Sequence, residues 1–400
     1  MNVVFINSTG DTFTPTRSGA ISTWIWEVCR AASQEGARPL VITRPSVAAP
    51  HPWPETVFVD YPSVRPFRGA GRLFELQKRV TGWGHLRQGI YAAGVARAIR
   101  DAGVADLPLV LNNDLELAVY LRRCFPDAFI LHHAQNNNPC DWRVRRAFAR
   151  AVNVATAVTD FCAGWNARYF RTPVRTLPSG VDAERFCPAE PPPAGDPVIN
   201  FVGRTDPPKG PDLLLAAALR LAERTRAFSL QILGRNHYDR FQPDAFQSHL
   251  EGLMQRLERA GVPVRRAGWV ERAALPDELR RAHIHCVPAR WDEPFGLTTL
   301  EGMACGLATV ASATGGTPEV AGQGAVLFAR EAVDELTTIL GDLVLDPVRR
   351  QELGRKARRR ALQMTWKNTW DCLQTLVSSV RTTVKTRPAA SPTTRTEVIA

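Results

Sequence analysis

The sequence predicts an α/β protein of two doubly wound domains facing a cleft, and three observations carry that reading. Short apolar, β-branched runs alternate with amphipathic stretches in both halves of the chain. A proline-rich segment, Pro188-Ala189-Glu190-Pro191-Pro192-Pro193-Ala194-Gly195, interrupts the alternation near the middle, after which it restarts. The length of 400 residues exceeds what one core normally supports, at roughly 100–200 residues per domain.

Taken in order, residues 3–6 read as a strand and 21–33 as a helix with one apolar face. Further buried strands are expected at 39–43, 109–112, 129–132 and 154–158, which completes an N-terminal domain over 1–187. Proline removes backbone donors and fixes φ, so 188–197 is a linker rather than an element. A second domain over 198–365 follows, with strands at 198–202, 229–233, 284–287 and 309–311 and helices at 211–224 and about 241–260. Residues 349–364 form a basic helix, and 366–382 a last helix expected to pack back on the N-terminal domain. The Thr/Pro/Ser-rich stretch 383–400 reads as a disordered tail. Two such domains joined by a proline hinge place a ligand-sized cleft between them.

Composition bounds the partners. A hydrophobic fraction of 44% with 22% charged residues suits a folded enzyme and excludes a disordered, collagen-like or disulfide-scaffold chain. No apolar run approaches the ~18 residues of a membrane-spanning helix. The start, Met1 to Asn7, lacks the basic region of a signal peptide, so a cytoplasmic chain is expected. Eight scattered cysteines without a CxxC pair read as small buried hydrophobes in a reducing compartment. A net charge of +11 favours an anionic partner: a nucleotide, a nucleic acid or an anionic membrane.

The most specific segment is Trp291-Asp292-Glu293-Pro294-Phe295-Gly296-Leu297-Thr298-Thr299-Leu300-Glu301-Gly302-Met303-Ala304-Cys305-Gly306, directly after a predicted strand. Pro294 and Gly296 force a turn, Thr298 with Glu301 has the spacing of a capping box, and Gly306 suits the position after the helix. Free N–H groups at such a helix start, with the dipole behind them, form an anion site that Glu293 and Glu301 flank. The plainer alternative is that Glu301 only caps the helix and Glu293 is a solvated loop acid. Asn200-Phe201-Val202-Gly203-Arg204-Thr205-Asp206-Pro207-Pro208-Lys209-Gly210 is the second segment. Its strand runs into a loop whose Arg204 and Lys209 either face the cleft or are solvated.

Together these segments resemble the retaining glycosyltransferases of family 4, whose GT-B fold pairs two Rossmann-like domains. Glu293 to Glu301 matches that family's E-x7-E signature, and Arg204 with Lys209 its phosphate-binding pair. Pro178-Ser179-Gly180-Val181-Asp182 looks like its NGVD turn, with Ser179 in place of Asn, and Gly315-Gly316-Thr317-Pro318-Glu319 like its GGxPE loop. The resemblance implies transfer of a sugar from a nucleoside-diphosphate sugar to an acceptor hydroxyl on a glycan or lipid-linked glycan. Glu301 would then bind the ribose hydroxyls, and Thr298 and Thr299 the diphosphate beside Arg204 and Lys209. Glu293 and the amides of Phe295, Gly296 and Leu297 would hold the donor sugar. Gly19, in Thr16-Arg17-Ser18-Gly19-Ala20, would bring backbone near the donor phosphate, as the family's glycine loop does, although Ala20 replaces the second glycine. The family also places a cleft histidine at the strand end where His132 and His133 stand. Adjacent strand side chains face opposite ways, and His133 is the one expected in the cleft.

No Asp-x-Asp occurs in the chain, so metal-independent turnover with no cofactor is expected. His283 and His285 share one strand face, but no second ligand cluster accompanies them. Residues 61–100 hold eight Lys/Arg against one acid, interleaved with Phe67, Leu73, Phe74, Val80 and Trp83. That mix suits either an interfacial helix on the cytoplasmic face of an anionic membrane or a solvated basic face. Two other classes compete. An NAD(P)-dependent oxidoreductase needs GxGxxG after a strand, and Ser8-Thr9-Gly10-Asp11 offers a single glycine. A nucleic-acid binder has only the charge in its favour, so nucleic acid is not expected as a partner.

Overall fold

The computed structural model describes residues 1–15, 19–46, 51, 53–59, 86–137, 142–236 and 245–385. Seven parallel strands form the first sheet, in the order β3-β2-β1-β4-β5-β6-β7. They are β1 (Val4–Ile6), β2 (Leu40–Thr43), β3 (Glu55–Phe58), β4 (Leu109–Asn112), β5 (Ile130–Ala134), β6 (Val154–Ala157) and β7 (Val174–Thr176). Helices α1 (Ala20–Gln34), α2 (Leu86–Asp101), α3 (Leu115–Cys124), α4 (Trp142–Ala151) and α5 (Asp160–Phe170) connect them. The second sheet, also parallel, has the order β10-β9-β8-β11-β12-β13. Its strands are β8 (Val198–Val202), β9 (Ser229–Leu233), β10 (Val264–Gly268), β11 (Ile284–Val287), β12 (Ala308–Ser312) and β13 (Ala325–Phe328). Around it lie α6 (Pro211–Ala222), α7 (Ala245–Arg259), α8 (Leu275–Leu279), α9 (Leu297–Ala304), α10 (Thr317–Ala321), α11 (Val333–Leu345) and α12 (Pro347–Ala361).

Each sheet reverses its order at its first strand: β1 lies between β2 and β4, and β8 between β9 and β11. Such switch points open a crevice at the carboxyl ends of the strands, where ligands gather in doubly wound folds. The central strands are covered on both faces, which is why they read as unbroken apolar runs. The edge strands lack that signal. β10 is Val-Arg-Arg-Ala-Gly, and its arginines pair outward, Arg265 with Glu278 and Arg266 with Glu251 and Glu258.

Helix α13 (Trp366–Lys385) leaves the second domain and packs on the first. Trp366, Trp370, Leu373 and Val377 join Trp24 and Val28 of α1 in one buried cluster. Polar ties fix the crossing: Trp370 Nε1 donates to Glu35 at 3.0 Å, and the Thr369 hydroxyl to the Pro178 carbonyl at 2.9 Å. The helix runs three residues past 382, and the tail beyond 385 lies outside the described residues.

Of the basic stretch 61–100, residues 61–85 lie outside the described residues. The rest is α2, which turns Tyr91, Val95 and Ile99 into the core and leaves Arg97 and Arg100 exposed. One face of this part therefore belongs to the core, and Arg97 and Arg100 lie on the other. No helix among the described residues is long and apolar enough to cross a membrane.

Candidate active site

A cavity of about 380 Å3 opens between the two sheets' carboxyl edges and takes its walls from both domains. On the C-terminal wall, β8 runs into the loop bearing Arg204 and Lys209, both of which line the cavity. Lys209 lies 5.0 Å from the centroid of the Trp291 ring, and its ammonium pairs with the Glu293 carboxylate. Trp291 Nε1 donates to the same Glu293 oxygen at 2.7 Å. Glu293 is thus a buried carboxylate held by a cation and an indole, not a solvated loop acid. Arg204 pairs with Asp206 at 2.8 Å and keeps 40% of its side chain exposed, which leaves donors for a ligand.

The loop from Glu293 to α9 is set by two glycines. Gly315 has φ +56°, and a Cβ there would stand 2.3 Å from the Glu293 carbonyl oxygen, so the Gly315-Gly316 loop lies directly on the acid's backbone. Gly296 has φ +89° and is itself the residue capping α9. This corrects the expected capping box. The left-handed turn at Gly296 starts the helix at Leu297, so Thr298 falls in the first turn and faces the cavity. Thr299 is fully buried and outside the lining, so of the two threonines only Thr298 meets the cavity. Glu301 does not reach back to the helix start. Its Oε1 lies 2.8 Å from Arg272 Nη1. Phe295, Gly296 and Leu297 line the cavity, where the first N–H groups of α9 are free of intrahelical partners. Gly306, with φ +71°, follows the helix as expected.

Gly19 lines the opposite wall beside Thr23, Gln135, Asn136 and Ser179. Its N–H is already engaged: Asp11 Oδ1 accepts from it at 2.8 Å, and Asp11 Oδ2 accepts from the Ser22 N–H at 2.9 Å. The chain's own carboxylate therefore sits at the opening of α1, at the place the resemblance gives to a donor phosphate. Thr16, Arg17 and Ser18 of this loop lie outside the described residues.

His133 is a second correction. It is fully buried, 4.5 Å from Trp24 between ring centroids, and outside the cavity lining. The Thr156 hydroxyl donates to the His132 carbonyl at 3.2 Å and so accepts from His133 Nδ1 at 2.9 Å. His132 points the other way, edge-on to Phe148 and Phe170. Helices cover both faces of β5, so neither histidine can reach the cleft, and burial holds both near a pKa of about 3, the His132 neighbour adding to the shift of His133. The strand runs to Ala134, and the first side chains past it, Gln135 and Asn136, are the ones in the cavity. Gln135 Nε2 donates to Asn112 Oδ1 at 2.9 Å.

Sequence reasoning missed Arg272, Trp291, Gln135 and Asp11. Gln135 carried a usable signal, being the residue just past the strand, whereas Arg272 and Asp11 acquire their partners only through the fold. Two contacts bind the walls together. The Thr159 hydroxyl donates to the Pro294 carbonyl at 2.7 Å, and Glu319 accepts from the Asp160 and Phe161 N–H groups at 2.6 and 2.7 Å. The acid of the Gly315–Glu319 motif therefore caps α5 of the other domain. His285 is buried with Nδ1 2.7 Å from Asn200 Oδ1, and His283 bonds the linker carbonyl of Pro193. No group of three or more potential metal ligands occurs among the described residues.

Two parallel α/β domains meeting across the carboxyl ends of their strands constitute the GT-B fold, and solved structures share it. Sucrose-phosphate synthase from Thermosynechococcus elongatus matches with a TM-score of 0.75 at 18% identity, over 96% of this chain and 99% of that one. Anabaena HepE in complex with UDP matches at 0.69 and 16% identity, over 95% and 100%. Residues 182–360 match the family glycosyl transferases group 1. D-inositol 3-phosphate glycosyltransferase of Kribbella flavida is 34% identical over 231 residues, 54% of this chain and 52% of that protein. The chain thus spans about half the length of the curated relatives it matches.

Proposed function

We propose that this protein transfers a sugar from a nucleoside-diphosphate sugar to an acceptor hydroxyl, with retention of configuration and without a metal. The observation that carries the reading is the convergence of Lys209, Arg204 and the opening of α9 on one cavity wall, beside the buried acids Glu293 and Glu301. Cleaving the sugar–phosphate bond leaves negative charge on the departing diphosphate. Two fixed cations and the helix-start amides stabilise that charge as it develops, in the place a metal ion would otherwise fill. Glu293 Oε1 is tied by Lys209 and Trp291, which leaves Oε2 to accept from a hydroxyl of the donor sugar. The family match over residues 182–360 and the UDP-bound HepE neighbour support a nucleotide donor.

Retention is taken from the resemblance to the retaining family, and the state of the two acids bears only on its route. Both are bound to cations, Glu293 to Lys209 and Glu301 to Arg272, and neither is free to act as a covalent nucleophile. The acceptor hydroxyl therefore attacks from the face the diphosphate leaves, and a diphosphate oxygen takes its proton. The acceptor is a glycan or a lipid-linked glycan, with residues 61–100 as the segment that meets an anionic membrane on its cytoplasmic side.

The test is turnover with a panel of UDP-, GDP- and ADP-sugars, with NMR of the product's anomeric carbon. Retained configuration and unchanged rates in excess chelator are expected. Inversion, or activity lost to the chelator and restored by manganese, would contradict the corresponding part of the reading.

A further inference from the structure

Arg272 is a cavity-lining cation to which the donor reading gives no role of its own. Its Nη1 is 2.8 Å from Glu301 Oε1, its guanidinium stands 5.7 Å from the Phe186 ring centroid, and its carbonyl accepts from Arg185 Nη2 at 2.6 Å. Two further carboxylates act on it from outside its own domain: Glu27 of α1, and Asp182 of the turn at 178–182. Glu27 is 2% exposed and pairs with Arg30 at 3.0 Å, while Arg30 Nη2 reaches Asp182 at 2.5 Å. Burial opposes the Arg272 charge, but Glu301, Glu27 and Asp182 outweigh it and hold the pKa above its usual value. Burial also raises the Glu27 pKa against the pull of Arg30 and Arg272.

Glu27, Arg30 and Asp182 thus form one ion-paired group on the N-terminal side, and Arg272 with Glu301 another on the C-terminal side. Such buried pairs are costly to desolvate, and leaving any member unpaired is costlier still. Removing Arg272 would free Glu301, a carboxylate 3% exposed, to seek another donor. A lysine could replace the charge but not the guanidinium geometry that brings Nη1 to Glu301 Oε1.

We propose that Arg272 is a positioning residue: it holds one oxygen of Glu301 so that the other is presented to the ribose hydroxyls of the nucleotide. This rests on the donor reading above, in which Glu301 receives the ribose.

The experiment is calorimetric titration of the full chain with UDP, GDP and ADP and with their 2′,3′-dideoxy counterparts. The readout is the ratio of the two dissociation constants, which a general loss of structure does not select. The wild type should favour the nucleotide it binds over its dideoxy form by about tenfold or more, the loss of a hydrogen bond to a charged group. R272Q and E301Q should each bring the ratio to about one to two. R272K should fall between. R272K also serves if R272Q does not fold. Loss of the ratio in E301Q with the wild-type ratio in R272K and R272Q would overturn the role of Arg272 and leave the donor reading standing. A wild-type ratio in E301Q, or a wild-type chain that binds none of UDP, GDP and ADP, would overturn the donor reading itself.

Discussion

Lys209 does two jobs that cannot be separated by sequence position alone: it supplies charge to the cavity and neutralises Glu293. Arg204, paired with Asp206 on the more exposed side, does only the first. The double substitution R204A/K209A should lower transfer by at least about 10²–10³-fold while the chain still folds. Of the single variants, K209A should lose more thermal stability, because Glu293 keeps only the Trp291 N–H. Circular-dichroism melts of the singles decide this, and equal losses would refute it. The buried histidines make a pH prediction. His132 and His133 ordinarily titrate near 6.5, and burial brings both to about 3 in the folded chain. Their neutral forms are fully compatible with the fold above 6.5. As pH falls below that, the unfolded chain takes up protons the folded chain refuses, and stability drops by up to about 1.4 kcal/mol per pH unit per histidine. Urea unfolding from pH 7 to 5 should show this slope, and H132F, which keeps the ring against Phe148 and Phe170, should remove one proton's share. A slope in H132F equal to that of the wild type would count against it.

At the level of elements, the donor wall depends on loops that tolerate no side chain. G315A should destabilise by at least about 1–2 kcal/mol from the left-handed backbone alone. It should also raise the donor KM, because the displaced backbone belongs to Glu293. Unchanged stability and KM in this variant would show that the loop can yield. The same elements show what the sequence made legible. β4, β8, β9 and β11 match their expected bounds to the residue, because buried parallel strands are uninterrupted apolar runs. β3, β7, β10 and β13 escaped notice because edge strands carry polar or half-exposed residues. β5 was expected at 129–132 and runs Ile130–Ala134, and that two-residue difference moves the cleft position from His133 to Gln135. The motif acids were visible because their spacing along one loop is local. The partners Arg272–Glu301, Asp11–Gly19 and Glu319–Asp160 were not, because folding alone brings them together.

For the whole molecule, the Glu319 cap on α5 is one of the polar contacts that join the two domains across the cleft. E319A should cost about 1 kcal/mol as a lost cap and, unlike a local cap, should let the domains separate. An increase in the radius of gyration by small-angle scattering, reversed by saturating nucleotide, is the expected result. A wild-type radius would show that the remaining contacts set the spacing. At the α1 opening the Gly19 and Ser22 N–H groups are already taken by Asp11, so among the described residues this end carries a carboxylate where the facing wall carries Arg204 and Lys209.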